Sequence, residues 1–176
     1  AASDVYKRQM IYDIVDADHP ALKQVTPSFD FLNPPIDPIQ FAKDLFETMM
    51  HNNGLGLAAN QCGFPYRVFA VRSNPGLVVF NPRIIDQTTE ELYLDEGCLT
   101  YPNLVLKVKR PSMIKVRYYE PNGNIVTQKF IGMTARIFLH EMDHLNGINF
   151  TQRANKIHLD RGLRQQKVLK RQQRKT

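Results

Sequence analysis

Met133-Thr134-Ala135-Arg136-Ile137-Phe138-Leu139-His140-Glu141-Met142-Asp143-His144-Leu145, closed by Asn146-Gly147, is the stretch on which the reading of this chain turns. Its apolar residues recur at helical spacing, and Asn-Gly is a common helix stop. On a helix, His140 and His144 lie four apart on one face. Both imidazoles can then reach one metal ion while Glu141 stands beside it as a proton acceptor. Two histidines and two acids among Ile137, Phe138, Leu139 and Leu145 are costly to bury unless paired or ligated. That cost weighs against the alternative, a core helix with incidental histidines.

The pattern needs a third ligand. No Glu occurs after Glu141, and Phe150 stands where a HExxHxxGxxH pattern would place a third His. His158 and Asp160 fall in a strongly basic tail and are poor candidates. Upstream, Cys98 follows Asp95-Glu96-Gly97 at the end of a short strand pattern. A thiolate with two imidazoles leaves one coordination position open for water, which is the arrangement of a catalytic site. Cys62 reads as an ordinary buried thiol. Ligand softness alone admits zinc, nickel, cobalt or iron.

Working outward, Asp37-Pro38-Ile39-Gln40 has the cap, the proline and the third-position Gln of a helix start, and Pro38–Asn53 is periodic. Short strands follow over Arg67–Val71, Leu77–Phe80, Ile84–Gln87, Glu91–Leu94 and Leu104–Lys109. Met113–Tyr119 and Ile125–Ile131 flank Pro121-Asn122-Gly123-Asn124, a hairpin signal. The order predicts an α+β fold with short, mostly antiparallel strands around a central helix carrying HExxH, plus a C-terminal helix from Asn155. The 176 residues carry a net charge of +6, yet residues 153–176 hold nine cations and one acid. The remainder is net −2, so the basic character is local. We divide the chain into an upstream extension or cloning scar (1–9), a catalytic metallohydrolase domain (10–152) and a basic, helical tail (153–176). No apolar run reaches the roughly 18 residues of a membrane span. Two cysteines make no disulfide framework, which fits a reducing compartment.

Three blocks now stand in order: Gly54-Leu55-Gly56-Leu57-Ala58-Ala59-Asn60-Gln61, Glu96-Gly97-Cys98-Leu99, and His140-Glu141-Met142-Asp143-His144. In that order and at those separations the chain closely resembles the peptide deformylase family, from about Met10 into the tail. The resemblance implies a metal held by Cys98, His140 and His144, with Glu141 as proton carrier. It implies Gln61 and the backbone N–H of Leu99 as donors to the formyl oxygen, and Gly56 as backbone offered to an extended peptide. Leu55, Met133 and Ile137 are candidate walls of a pocket for the methionine side chain, or equally plain core. By the same resemblance Asp143 pairs with Arg110, and Fe(II) is the physiological ion, with nickel, cobalt or zinc able to substitute. The implied substrates are N-formyl-methionyl nascent chains, the product is formate, and the setting is the cytoplasm, or an organelle or host cell if the source is organellar or viral.

The chain departs from the family at Asn60 and Cys62, where Pro or Thr and an aliphatic residue are commoner, and at Thr100, where Ser is usual. Val105 stands where many bacterial members carry a substrate-holding Arg. The tail has few apolar residues (Ile157, Leu159, Leu163, Val168, Leu169), so a weak stripe at its start would dock and the rest would be solvated. Its charge fits contact with ribosomal RNA beside an emerging chain, against the plainer reading of a solubilising helix. Two other classes compete: an endopeptidase, disfavoured by the missing downstream ligand, and a metal-stabilised binding module acting through its tail.

Overall fold

The computed structural model describes residues 10–175, so the proposed extension 1–9 lies outside the described residues. Helix α1 (Pro38–His51) begins at Asp37, whose Oδ1 accepts from the backbone N–H of Ile39 and Gln40 at 3.0 and 3.3 Å. This is the cap that the sequence offers. Strands β1 (Gly56–Ala58), β2 (Val68–Val71), β3 (Leu77–Gln87), β6 (Met113–Tyr119) and β7 (Ile125–Ile131) form one antiparallel sheet in the order β1-β2-β3-β6-β7. Strands β4 (Glu91–Cys98) and β5 (Tyr101–Pro111) pair as a separate antiparallel hairpin. Helix α2 (Gly132–Leu145) and helix α3 (Lys156–Gln173) follow, the latter capped by the Asn155 side chain.

Strand β2 shows why the site is rigid. Alternate side chains point to opposite faces of a strand, and here both faces are buried. Phe69 and Val71 join the cluster formed with Phe138, Met142 and Leu145 of α2. Val68 and Ala70 join the one formed with Phe41, Leu45 and Met49 of α1. The sheet is therefore held between two helices. A third, smaller cluster of Leu104, Leu106, Val108 and Phe150 fixes the β4–β5 hairpin, with Leu159 of α3 against it. No helix among the described residues is long and apolar enough to cross a membrane.

Three expectations change. The two strands read over Leu77–Phe80 and Ile84–Gln87 are one strand, β3, with register shifts after Phe80 and Ile84. Asn81-Pro82 makes a bulge there and not a turn, and the Asn81 side chain bonds both the N–H and the carbonyl of Phe29. The strands read over Glu91–Leu94 and Leu104–Lys109 are longer, as β4 and β5, and the glycine-rich block contains β1 and a 3-10 turn over Ala59–Cys62. The tail docks beyond its first turn: Gln166 and Gln173 both bond the start of β5.

Candidate active site and metal centre

Three elements converge. Helix α2 supplies His140 and His144, the end of β4 supplies Cys98, and their ligating atoms lie within 4.8 Å of one another. Cys98 Sγ is 3.3 Å from His144 Nε2. The His140 Nδ1 is 3.0 Å from Glu96 Oε2, which leaves Nε2 as the ring nitrogen free to face the cluster. One thiol and two imidazoles at this spacing suit a soft or borderline divalent ion.

Glu141, beside the first imidazole, is 3% exposed, and its Oε2 has no hydrogen-bond partner among the described residues. An unpaired buried carboxylate oxygen is expensive, and burial pushes this carboxyl up to about 7. Gly56 makes room for it. A Cβ on Gly56 would fall 2.8 Å from Glu141 Cδ, so no other residue lets β1 pass so close. Gln61 is held at both ends. Its Oε1 accepts from the Ala58 N–H at 2.8 Å, which turns the amide NH₂ toward Thr100 Oγ1 at 3.0 Å and Cys98 Sγ at 3.5 Å. Thr100 thus serves to orient Gln61.

Gly56, Gln61, Cys98, His140 and Glu141 line one cleft of about 560 Å³, together with Leu99 and Val105, while His144 lies behind it. Leu55 and Met133 are half exposed at its mouth, 53% and 51% accessible, and Ile137 is buried in its wall. His158, by contrast, meets Tyr93 of β4 edge-on, with ring centroids 6.0 Å apart, and is not one of the ligating group. Cys62 packs with the α1 cluster, away from the ligating group, and burial pushes its thiol up to about 12.

The supporting network exceeds the sequence reading. Arg110 does meet Asp143, at 2.9 Å. Glu96, which the sequence left without a role, is the hub: its carboxylate accepts from Arg110 at 2.6 and 3.0 Å, from Arg136 at 2.8 Å, and meets His140. Burial alone would raise its pKa, but the imidazole and the guanidinium override that and hold it well below the usual carboxylate range. Arg136 also donates to the carbonyls of Val108 and Leu92, which ties α2 to both hairpin strands. Arg153 closes the far side on Asp143 at 2.7 Å. Two periodic signals pointed here. Arg136, His140 and His144 share a helix face, and Arg110 extends the buried alternation Leu104, Leu106, Val108 by one step. Asn60, read from sequence only as a departure from the family, donates through Nδ2 to the His144 carbonyl at 2.6 Å and joins the Gln61 turn to the end of α2.

Comparison with known proteins gives the lineage. Over 122 residues the chain is 38% identical to the peptide deformylase of Microchaete diplosiphon, an alignment covering 66% of this chain and 65% of that relative. The chain thus spans just under two thirds of that relative's length. The crystal structure of the peptide deformylase from Thermotoga maritima superposes with a TM-score of 0.78 at 32% identity, covering 82% of this chain and 98% of that one. The peptide deformylase of Synechococcus elongatus in complex with actinonin superposes with a TM-score of 0.81 at 30% identity, covering 88% and 85%. The model of the polypeptide deformylase family matches residues 11–160, a span that contains the whole cleft, and the chain is a member of that family.

Proposed function

We propose that this protein removes the N-formyl group from the initiator methionine of newly made polypeptides, releasing formate. The observation that carries the reading is the convergence of Cys98, His140 and His144, with Cys98, His140 and the partnerless Glu141 lining an open cleft. In this reading Cys98, His140 and His144 hold one divalent ion, with Fe(II) as the expected physiological species. Bound there, the ion supplies Lewis acidity and lowers the pKa of water to about 7.

The chain's own residues do the rest. The Glu141 carboxylate accepts the proton of the attacking water and returns it to the departing amine, which needs a group that titrates near neutrality. The Gln61 NH₂ and the Leu99 N–H donate to the oxygen that gains charge, and the Ala58 N–H keeps Gln61 in the donating orientation. One such donor is worth roughly 3–4 kcal/mol in other hydrolases. The backbone at Gly56 receives the extended peptide, while Leu55, Met133 and Ile137 enclose the methionine side chain. Asp143 and Glu96 hold Arg110 and His140 in place. The exposed cations of α3 make contact with ribosomal RNA in the compartment where translation occurs.

The test is formate release from formyl-Met-Ala-Ser set against cleavage of the same peptide without its formyl group. Formate from the first and no cleavage of the second is the expected outcome. Cleavage of internal bonds in both would overturn the reading.

A further inference from the structure

One wall of the cleft is built by Tyr101, Pro102, Asn103, Leu104 and Val105, the opening residues of β5. Helix α3 runs along this segment and touches it at three places two turns apart or less. Gly162 is buried against it: a Cβ there would come within 2.6 Å of Leu106 Cδ2 and 2.8 Å of the Val105 carbonyl oxygen. Gln166 Nε2 donates to the Pro102 carbonyl at 2.9 Å. Asn103 Nδ2 donates to Gln173 Oε1 at 3.1 Å. Asn103 also stands in the left-handed region at φ 63°, which asparagine tolerates and which turns its side chain within reach of Gln173. The three partners on α3 all act on main chain or on this one turn, and all three are uncharged. Among the described residues, no basic side chain of the same helix hydrogen-bonds this segment.

Resting on the function proposed above, we propose that α3 is a brace for the peptide cleft: Gly162, Gln166 and Gln173 are positioning residues that fix the 101–105 wall and so set how tightly the downstream part of a substrate is held. The catalytic groups sit on α2, at Cys98 and Leu99 at the end of β4 and just beyond it, and in the 56–61 segment, and α3 makes none of these three contacts with them. The brace therefore governs KM for longer peptides and leaves kcat alone.

Gly162→Ala separates a brace from a mere solubilising helix. Alanine improves intrinsic helix propensity over glycine, so a freestanding helix would gain. A docked one must move off the Val105 carbonyl. Gln166→Glu removes the donor to Pro102 at nearly equal size, and Gln166→Lys restores one. We would measure formate release from formyl-Met-Ala amide and from a formyl-Met pentapeptide amide, with full-length protein. For the pentapeptide, KM should rise about 2- to 10-fold in Gly162→Ala and in Gln166→Glu, the worth of roughly one net hydrogen bond. Gln166→Lys should return to the parental KM. The kcat values and the KM for formyl-Met-Ala amide should not move. Unchanged pentapeptide KM in both impaired variants, or equal losses on the two substrates, overturns the brace. Failure of the parent on both peptides would instead reject the deformylase reading itself.

Discussion

Two neighbouring side chains of α2 carry separate duties, and substitution distinguishes them. Glu141 has a buried, unpartnered oxygen and is proposed to move a proton without ligating. Glu141→Gln should keep metal and fold while formate release falls by about 10²–10⁴-fold, the range for a lost general base. Activity within a few-fold of the parent would remove Glu141 from that role. The two cysteines invite a second comparison. Cys98→Ser should lower bound metal sharply by elemental analysis, because a thiolate ligand gives up its proton to the ion, whereas Cys62→Ser should retain it. The Cys62 thiol is raised first by burial and then by the charge of Asp13, from an ordinary 9.0 to about 12. The folded state thus keeps a proton that the unfolded state loses between those values, and this group's stabilisation is full below pH 9.0 and fades as pH rises toward about 12. At pH 8, iodoacetamide should leave Cys62 unlabelled in native protein and label it in denaturant. Rapid native labelling at that residue would contradict its packing against the α1 cluster.

Helix α2 and the β4–β5 hairpin meet through charge, and this junction tests the fold. Glu96 faces two guanidiniums and an imidazole with a side chain only 5% accessible. Removing one partner from a buried ion cluster leaves the others uncompensated, at a cost of about 3–5 kcal/mol. Glu96→Gln should lose that much in a urea titration, with metal affinity reduced as well because His140 loses its Nδ1 acceptor. A loss below about 1 kcal/mol would mean that solvent reaches the cluster. The same junction marks the limit of sequence reading. The boundaries of β6, β7 and α2, and the Asp37 cap, follow from period and capping chemistry, which are local. His140 and His144 follow from spacing on one helix. Cys98 was reachable because the two histidines demanded a partner. Glu96 was not, since its meaning depends on Arg110, Arg136 and His140, brought from 14, 40 and 44 residues away. The bulge at Asn81-Pro82 escaped for a like reason. Those residue types usually make a turn, and distant backbone holds them in a strand: Phe29, 52 residues earlier, bonds the Asn81 side chain, and the Arg67 carbonyl accepts from the Asn81 N–H.

The distribution of charge over the folded molecule completes the case for the tail. Helix α3 presents uncharged Gly162, Gln166 and Gln173 to β5, and this sorts its residues by direction. Arg161, Arg164, Lys167, Lys170 and Arg171 are exposed, and among the described residues none of them pairs with an acid. An unpaired row of cations on a body that is otherwise net negative is suited to a polyanion, and the substrate proposed here emerges beside RNA. Deleting the helix would be a poor test, because it removes the brace with the charge. Replacing Arg164, Lys167, Lys170 and Arg171 by Gln leaves the docking of α3 on β5 intact. That variant should process a formyl-Met pentapeptide like the parent, yet sediment with ribosomes far less at low salt. For the parent, log affinity should fall linearly with log salt, and the variant's slope should be shallower by about 0.7–0.9 for each phosphate it no longer neutralises. Identical sedimentation of parent and variant across the salt series would show that these cations do not carry ribosome binding.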